Sequence, residues 1–222
     1  MEPRKIVVFG VGDFARIAHY YFKHDSPHTV VAHTVTADAL KETSFLGVPV
    51  APFEELPTHY PPSEFDVFVG VAYSKVNRNR TEIFRRARDL GYRLPGYVCS
   101  KATTWPDLSI GDGTFIFENN VIQPYVKIGE NTVLWSGNHI GHDSTLGDNI
   151  FIASHVVVSG NCRVGDNTFI GVNATLRDGI TIGKNCVIGA GALILKNVPD
   201  EAVLKSVGTL PTAITSDQLR KI

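Results

Sequence analysis

The chain has 222 residues, enough for one large domain or two modest ones that each bury a core. Lys and Arg number 21 against 22 Asp and Glu, a formal net charge of −1, which gives no electrostatic footprint for nucleic acid or an anionic membrane. Gly, Asn and Asp interrupt every apolar stretch before the roughly 18 residues that a membrane span needs.

Three widely spaced cysteines (Cys99, Cys162 and Cys186) make neither a disulfide framework nor a structural zinc cluster. The opening Met-Glu-Pro-Arg-Lys runs directly into a short apolar strand without the apolar core of a signal peptide, so a cytoplasmic protein is expected.

Taken in chain order, Lys-Ile-Val-Val-Phe at 5–9 reads as a buried strand. It is followed by Gly10-Val-Gly12 and a helical pattern with Phe14, Ile17, Ala18, Tyr21 and Phe22 on one face. Residues 29–35 read as a second strand, 66–72 as a later central strand, and 75–90 as a helix on Val76, Ile83, Phe84, Ala87 and Leu90. Strands alternating with helices imply a small parallel α/β sheet. Glycines at 10 and 12 with Ala15 form a phosphate-loop pattern, since bare backbone lets a phosphate approach a helix N-terminus. The acidic residue that would hold a ribose after the second strand is missing, because Thr36 and Ala37 stand there and Asp38 comes late. No redox dinucleotide is expected. Two readings stay open: half a Rossmann unit for a nucleotide-linked ligand, or a glycine turn that is only structural.

The second half carries an aliphatic residue at every sixth position from Ile110 to Ile194. A period of eighteen lies over it, in the copies Ile110-Gly-Asp-Gly, Ile128-Gly-Glu-Asn, Leu146-Gly-Asp-Asn, Val164-Gly-Asp-Asn and Ile182-Gly-Lys-Asn. Six residues make one short strand and a turn, and eighteen make three faces per coil. The pattern predicts a left-handed parallel β-helix, with Gly and Asn at corners where φ turns positive. Such a repeat is a scaffold by itself, so chemistry must come from residues that break it.

One corner does so. His142 follows Gly141 and precedes Asp143, the only corner with an imidazole beside a carboxylate. A base of near-neutral pKa with a carboxylate to orient it suits acyl transfer to an amine or hydroxyl. Adjacent residues of a strand point oppositely, so Asp143 reaches His142 only where the corner turns it. A zinc site built from His139, His142 and His155, as in γ-class carbonic anhydrases, is the rival chemistry. The other five histidines, at 19, 24, 28, 33 and 59, show no mutual spacing and read as ordinary surface or partly buried residues.

Over nearly its whole length the chain resembles the PglD/NeuD-like sugar acyltransferases. The residues that carry the likeness are Lys5 to Ala15, Gly47-Val-Pro-Val50, Phe68 to Arg80 and above all Ile110 to Val198. The glycine loop departs from the family's Gly-x-Gly-Gly-His, and Phe151 stands where some members have a second histidine.

The resemblance implies a Rossmann-like nucleotide-sugar-binding domain over residues 1–98 and a left-handed β-helix with its tail over 99–222. It further implies transfer from acetyl-CoA, without a metal, to a sugar or sugar-nucleotide amine, with His142 as base and Asp143 as its orienter. Acetyl-CoA would lie between the β-helices of a homotrimer, against Gly160, Asn161, Val172, Asn173 and Ala190. Gly10, Gly12, Asn138 and His139 would meet the acceptor. Sugar O-acetylation and a non-catalytic nucleotide-sugar-binding scaffold are the alternatives.

Overall fold

The computed structural model describes residues 3–211 and 213–218, so Thr212 and residues 219–222 of the expected second domain lie outside the described residues. The first part contains β1 (Lys5–Phe9), α1 (Asp13–Asp25), β2 (Thr29–Val35), β3 (Ser44–Phe45), β4 (Val48–Pro52), α2 (Leu56–His59), β5 (Phe65–Val69) and α3 (Arg78–Asp89). Its sheet runs β3-β4-β2-β1-β5. The pairs of β1 with β2 and β5, and of β2 with β4, are parallel, and β3 with β4 is antiparallel. Ile6, Val7 and Val8 are buried on both faces of β1, as a central parallel strand requires. Helix α1 turns Phe14, Ala15, Ala18 and Phe22 inward and stops where Ser26, extended, precedes Pro27.

Two elements are shorter than the sequence predicts. Strand β5 stops at Val69, and at Gly70 a Cβ would lie 2.7 Å from the Ala15 Cα, so the missing side chain is what lets α1 close on the sheet. Helix α3 starts at Arg78 rather than residue 75, because Lys75, Val76 and Asn77 take φ of 50°, 54° and 64°. That left-handed turn leaves Val76 outside the helix.

The β-helix begins at the strand Tyr97–Val98, which pairs in parallel with Phe115–Ile116, slightly before the residue-98 boundary that the resemblance implies. Three parallel sheets form its faces, with seven, five and five strands among the described residues. The aliphatic residues of the repeat stack inside, Leu134, Ile140, Ile152, Val158, Ile170, Leu176 and Ile188 fully buried. At the corners every sixth residue from Gly113 to Gly191 has positive φ, and each is Asn or Gly except Tyr125, Asp143 and His155. Small polar side chains tie coil to coil from within: Thr132 Oγ1 accepts from the Ile150 N–H at 3.1 Å and Ser144 Oγ from the Cys162 N–H at 3.1 Å.

The seven-stranded face is covered by the α/β domain. Its outward residues Tyr97, Phe115, Val133 and Phe151 pack with Phe14, Phe22 and Phe68 in one aromatic cluster. Beside the cluster lies Arg80, fully buried and without a carboxylate among its partners. Nε donates to the Asn131 carbonyl at 3.2 Å, and Nη2 to those of Asn149 and Ile150, both at 3.0 Å. Nη1 donates to the Ala72 carbonyl at 3.1 Å and to Asn77 Oδ1 at 3.2 Å. The Asn77 amide in turn donates to the carbonyls of Asn167 and Thr168. Burial pushes the Arg80 pKa down to about 9, still well above neutrality, so a charged guanidinium bridges the two halves at pH 7.

Replacing it with a side chain of similar length strands several buried carbonyls, each of which costs about 1–3 kcal/mol. Arg80→Met is therefore expected to lower the unfolding free energy by at least about 3 kcal/mol, read as a fall in the denaturant midpoint.

Candidate functional site

The corner residues Gly141-His142-Asp143 join the strand His139–Ile140 of one five-stranded face to Thr145–Leu146, the middle strand of the next. Asp143 takes φ of 58°, and this turn brings its carboxylate back onto its neighbour. The His142 Nδ1 and Asp143 Oδ2 are 2.8 Å apart, with both side chains about half exposed. An ionised carboxylate only accepts, so Nδ1 carries the hydrogen and Nε2 the lone pair. The backbone holds the pair in place: the His142 N–H donates to Gln123 Oε1 at 2.9 Å, and its carbonyl accepts from the Asn161 N–H at 2.8 Å.

Gly160 lies one coil along, under the imidazole. A Cβ there would stand 2.7 Å from His142 Nε2 and 2.8 Å from Cε1, so the ring occupies this position because the side chain below is absent. Asn161, with φ of 56°, is exposed beside it. Val172, Asn173 and Ala190 belong to the preceding corner column, which also holds Gly137 and His155. The expected donor-binding residues thus border the two long edges of one face. His139 points outward on that face, paired with Val121 and Val157 in the strand ladder.

Asn138 differs from expectation. It is buried, its amide donating to the Trp135 carbonyl at 2.6 Å and its Oδ1 accepting from the Val156 N–H at 2.8 Å. Both ends are committed to the coil, as for Thr132 and Ser144, and none is left for a ligand. The histidines of the zinc alternative are not gathered: His155 lies against Gly137 on one corner and His142 against Gly160 on the next. Among the described residues no group of three or more His, Cys, Asp or Glu is placed to hold a metal ion.

In the α/β domain, Gly10 has φ of 112°, and a Cβ there would lie 3.0 Å from the Gly70 carbonyl oxygen. Gly12 opens onto free space at the start of α1. The Gly10 carbonyl is engaged by His33 Nδ1 at 2.7 Å, and His33 Nε2 stands 2.9 Å from His19 Nδ1. The two rings stack, centroids 5.2 Å apart and 12° from parallel. The sequence gives His19 and His33 no common spacing, and only the packing of α1 on β2 unites them. Two residues of α1 also reach the β-helix: Tyr21 donates to Glu118 at 2.5 Å, and Asp25 accepts from the Ser100 N–H at 2.8 Å.

Residues 125–160 and 161–196 match the bacterial transferase hexapeptide (six repeats) family. No curated protein matches the chain in sequence. Among solved structures, the acetyltransferase domain of PglB from Neisseria gonorrhoeae FA1090 in complex with acetyl coenzyme A is 27% identical, with a TM-score of 0.82 over 92% of this chain and 97% of that one. PerB from Caulobacter crescentus, in complex with CoA and GDP-perosamine, is 25% identical, with a TM-score of 0.79 over 91% of this chain and 94% of that one. WeeI from Acinetobacter baumannii AYE, at 20% identity and a TM-score of 0.76 over 91% of this chain and 96% of that one, shares the fold. The hexapeptide repeats and these likenesses make the chain an acyltransferase, similar in fold and order of domains to acetyltransferases that act on sugars.

Proposed function

We propose that the protein transfers an acetyl group from acetyl-CoA to the amine of a nucleotide-linked amino sugar, with His142 as general base. The observation that carries this reading is the His142–Asp143 pair, which fixes the tautomer and leaves Nε2 free as a base beside Gly160. A sugar amine is largely protonated near neutral pH and attacks a thioester only after giving up a proton. Nε2 takes that proton, and the freed amine then forms the N–C bond. As the C–S bond breaks, the nitrogen gives up a second proton and the leaving thiolate takes one up, so that the products are the amide and the CoA thiol. Backbone N–H groups at the corners are suited to stabilise the tetrahedral oxyanion.

The bound ligands of two relatives support the substrate class: acetyl coenzyme A in the PglB domain, and CoA with GDP-perosamine in PerB. In this reading the acyl donor lies along the face bordered by Gly160 and Asn161 on one edge and by Val172, Asn173 and Ala190 on the other. Gly10 and Gly12 approach the diphosphate, and His139 lines the face between. The outward Val121, Val157 and Leu193 of that face are exposed, an apolar strip suited to packing against further copies, and the assembly proposed is a homotrimer. No helix of the described residues is long and apolar enough to cross a membrane, and the setting proposed is the cytoplasm, where acetyl-CoA is at hand.

The test is thiol release from acetyl-CoA against a panel of free and nucleotide-linked amino sugars. His142→Asn is expected to lower turnover about 10²–10⁴-fold at an unchanged melting temperature. Full activity in that variant would remove His142 as the base. Gly160→Ala sets a methyl group where the imidazole edge lies and is expected to cut kcat about 10²-fold by displacing the base, again with the fold intact.

A further inference from the structure

Two side chains lean over Gly160, and only one of them belongs to the pair already described. A Cβ at this glycine would stand 2.7 Å from His142 Nε2 and 2.9 Å from Asp178 Oδ1. Asp178 occupies the same corner position one coil beyond Gly160, as His142 does one coil before it. The imidazole and this second carboxylate thus approach the same point from the coils on either side.

The two atoms lie no farther apart than those distances laid end to end, about 5.6 Å, yet they form no ion pair with each other. Such a gap fits one shared atom. A tetrahedral nitrogen that donates two N–H bonds of about 2.9 Å sets its two acceptors roughly 4.7 Å apart.

Other corner carboxylates are occupied within the coils. Asp148, Asp166 and Asp200 each accept from a backbone N–H of the coil before, at 2.9, 3.1 and 2.9 Å. The Asp178 carboxylate is exposed and, among the described residues, has neither a hydrogen-bond nor an ion-pair partner. Gly179 next to it leaves the space open, since a Cβ there would meet nothing within 4 Å.

The nucleophile decides what this carboxylate does. In the reading given above, the acceptor nitrogen gives a proton to His142 Nε2 and so sits within a hydrogen bond of it. A protonated primary amine has three N–H donors, and a second can point at Asp178 Oδ1 while the first is on Nε2. When the amine attacks the thioester, its nitrogen becomes cationic again, and the same carboxylate faces that charge. A sugar hydroxyl has one hydrogen to donate. With that hydrogen on Nε2, only oxygen lone pairs are left to face the carboxylate, and the two repel.

We propose that Asp178 selects an amine over a hydroxyl as the acyl acceptor, by receiving a second N–H of the ammonium held on His142 Nε2. The proposal rests on the transferase reading and adds the residue that decides between N- and O-acylation.

The experiment is calorimetric titration of the full chain, without acyl donor, with a nucleotide-linked amino sugar and with the same sugar carrying a hydroxyl in place of the amine. The parent protein is expected to bind the amino form at least about tenfold more tightly. In Asp178→Ala that ratio falls to about one, through weaker binding of the amino form alone. Asp178→Asn keeps an acceptor without the charge and is expected to lie between. The melting temperature of both variants is expected to stay unchanged, as the side chain bonds to nothing in the fold. In turnover, kcat/KM for the amino sugar falls about 10–100-fold in Asp178→Ala, with KM for acetyl-CoA unaltered.

The same amino-to-hydroxyl ratio in Asp178→Ala as in the parent, or no preference in the parent, would overturn the proposal. Equal loss of both sugars would overturn it too, since a structural role would weaken them alike. A preference that depends on Asp178, without acetyl transfer to any sugar, would uphold the carboxylate and remove the transferase reading. Transfer that needs His142 but keeps its kcat/KM for the amino sugar in Asp178→Ala would do the reverse.

Discussion

A guanidinium that is wholly buried, charged and without a counter-ion joins the two halves of this molecule, and the other features depend on where it holds them. Moving such a charge out of water is costly unless every N–H finds an acceptor. Arg80 meets that demand with five neutral acceptors, two from its own domain and three from β-helix carbonyls at Asn131, Asn149 and Ile150. Those carbonyls converge because successive coils repeat the same left-handed corner, setting equivalent groups above one another. The planar fork of arginine suits such a fixed array, which the rotating ammonium of a lysine would not match. Helix α1 adds further bonds to the β-helix, where Tyr21 meets Glu118 and Asp25 meets Ser100.

The same corner geometry creates the chemistry of the repeat. A left-handed residue costs little for Gly, Asn or Asp and more for a bulky side chain, so of the three departures Tyr125, Asp143 and His155 it is Tyr125 that carries the largest backbone cost. At Asp143 the benefit is visible: only the positive φ turns the carboxylate onto the preceding imidazole, which strand geometry alone would set on the opposite side. Gly160 serves the same group from the next coil by leaving room for the ring. Imidazole, carboxylate and floor thus come from two adjacent coils, and the order in which coils stack fixes their positions.

Much of this was legible beforehand. The six-residue aliphatic period specified the β-helix, its corners and the inward column, because each coil buries one residue per face and nothing else repeats at that spacing. His142 and Asp143 stood out as a departure from that rhythm, while whether the corner turns Asp143 onto its neighbour was left to the structure. Where the reading failed, non-local contacts were responsible. Asn138, which the resemblance offers to the acceptor, is drawn inside to satisfy a backbone N–H eighteen residues away. The start of α3 is set back by a turn that exists to seat Asn77 on Asn167 and Thr168. His19 and His33, without common spacing, become neighbours only when a helix packs on a strand.

By itself the sequence determined what repeats: the β-helix, the alternation of strands and helices before it, and the corner that breaks the pattern. Local periodicity and backbone preference act over a few residues, and both are written in the chain. Only the tertiary structure decided which polar groups face a ligand and which serve the fold. A buried N–H or C=O must find a partner wherever in the chain that partner lies. That single demand placed Asn138 inside, gave Arg80 its carbonyls, and set His33 against the Gly10 carbonyl.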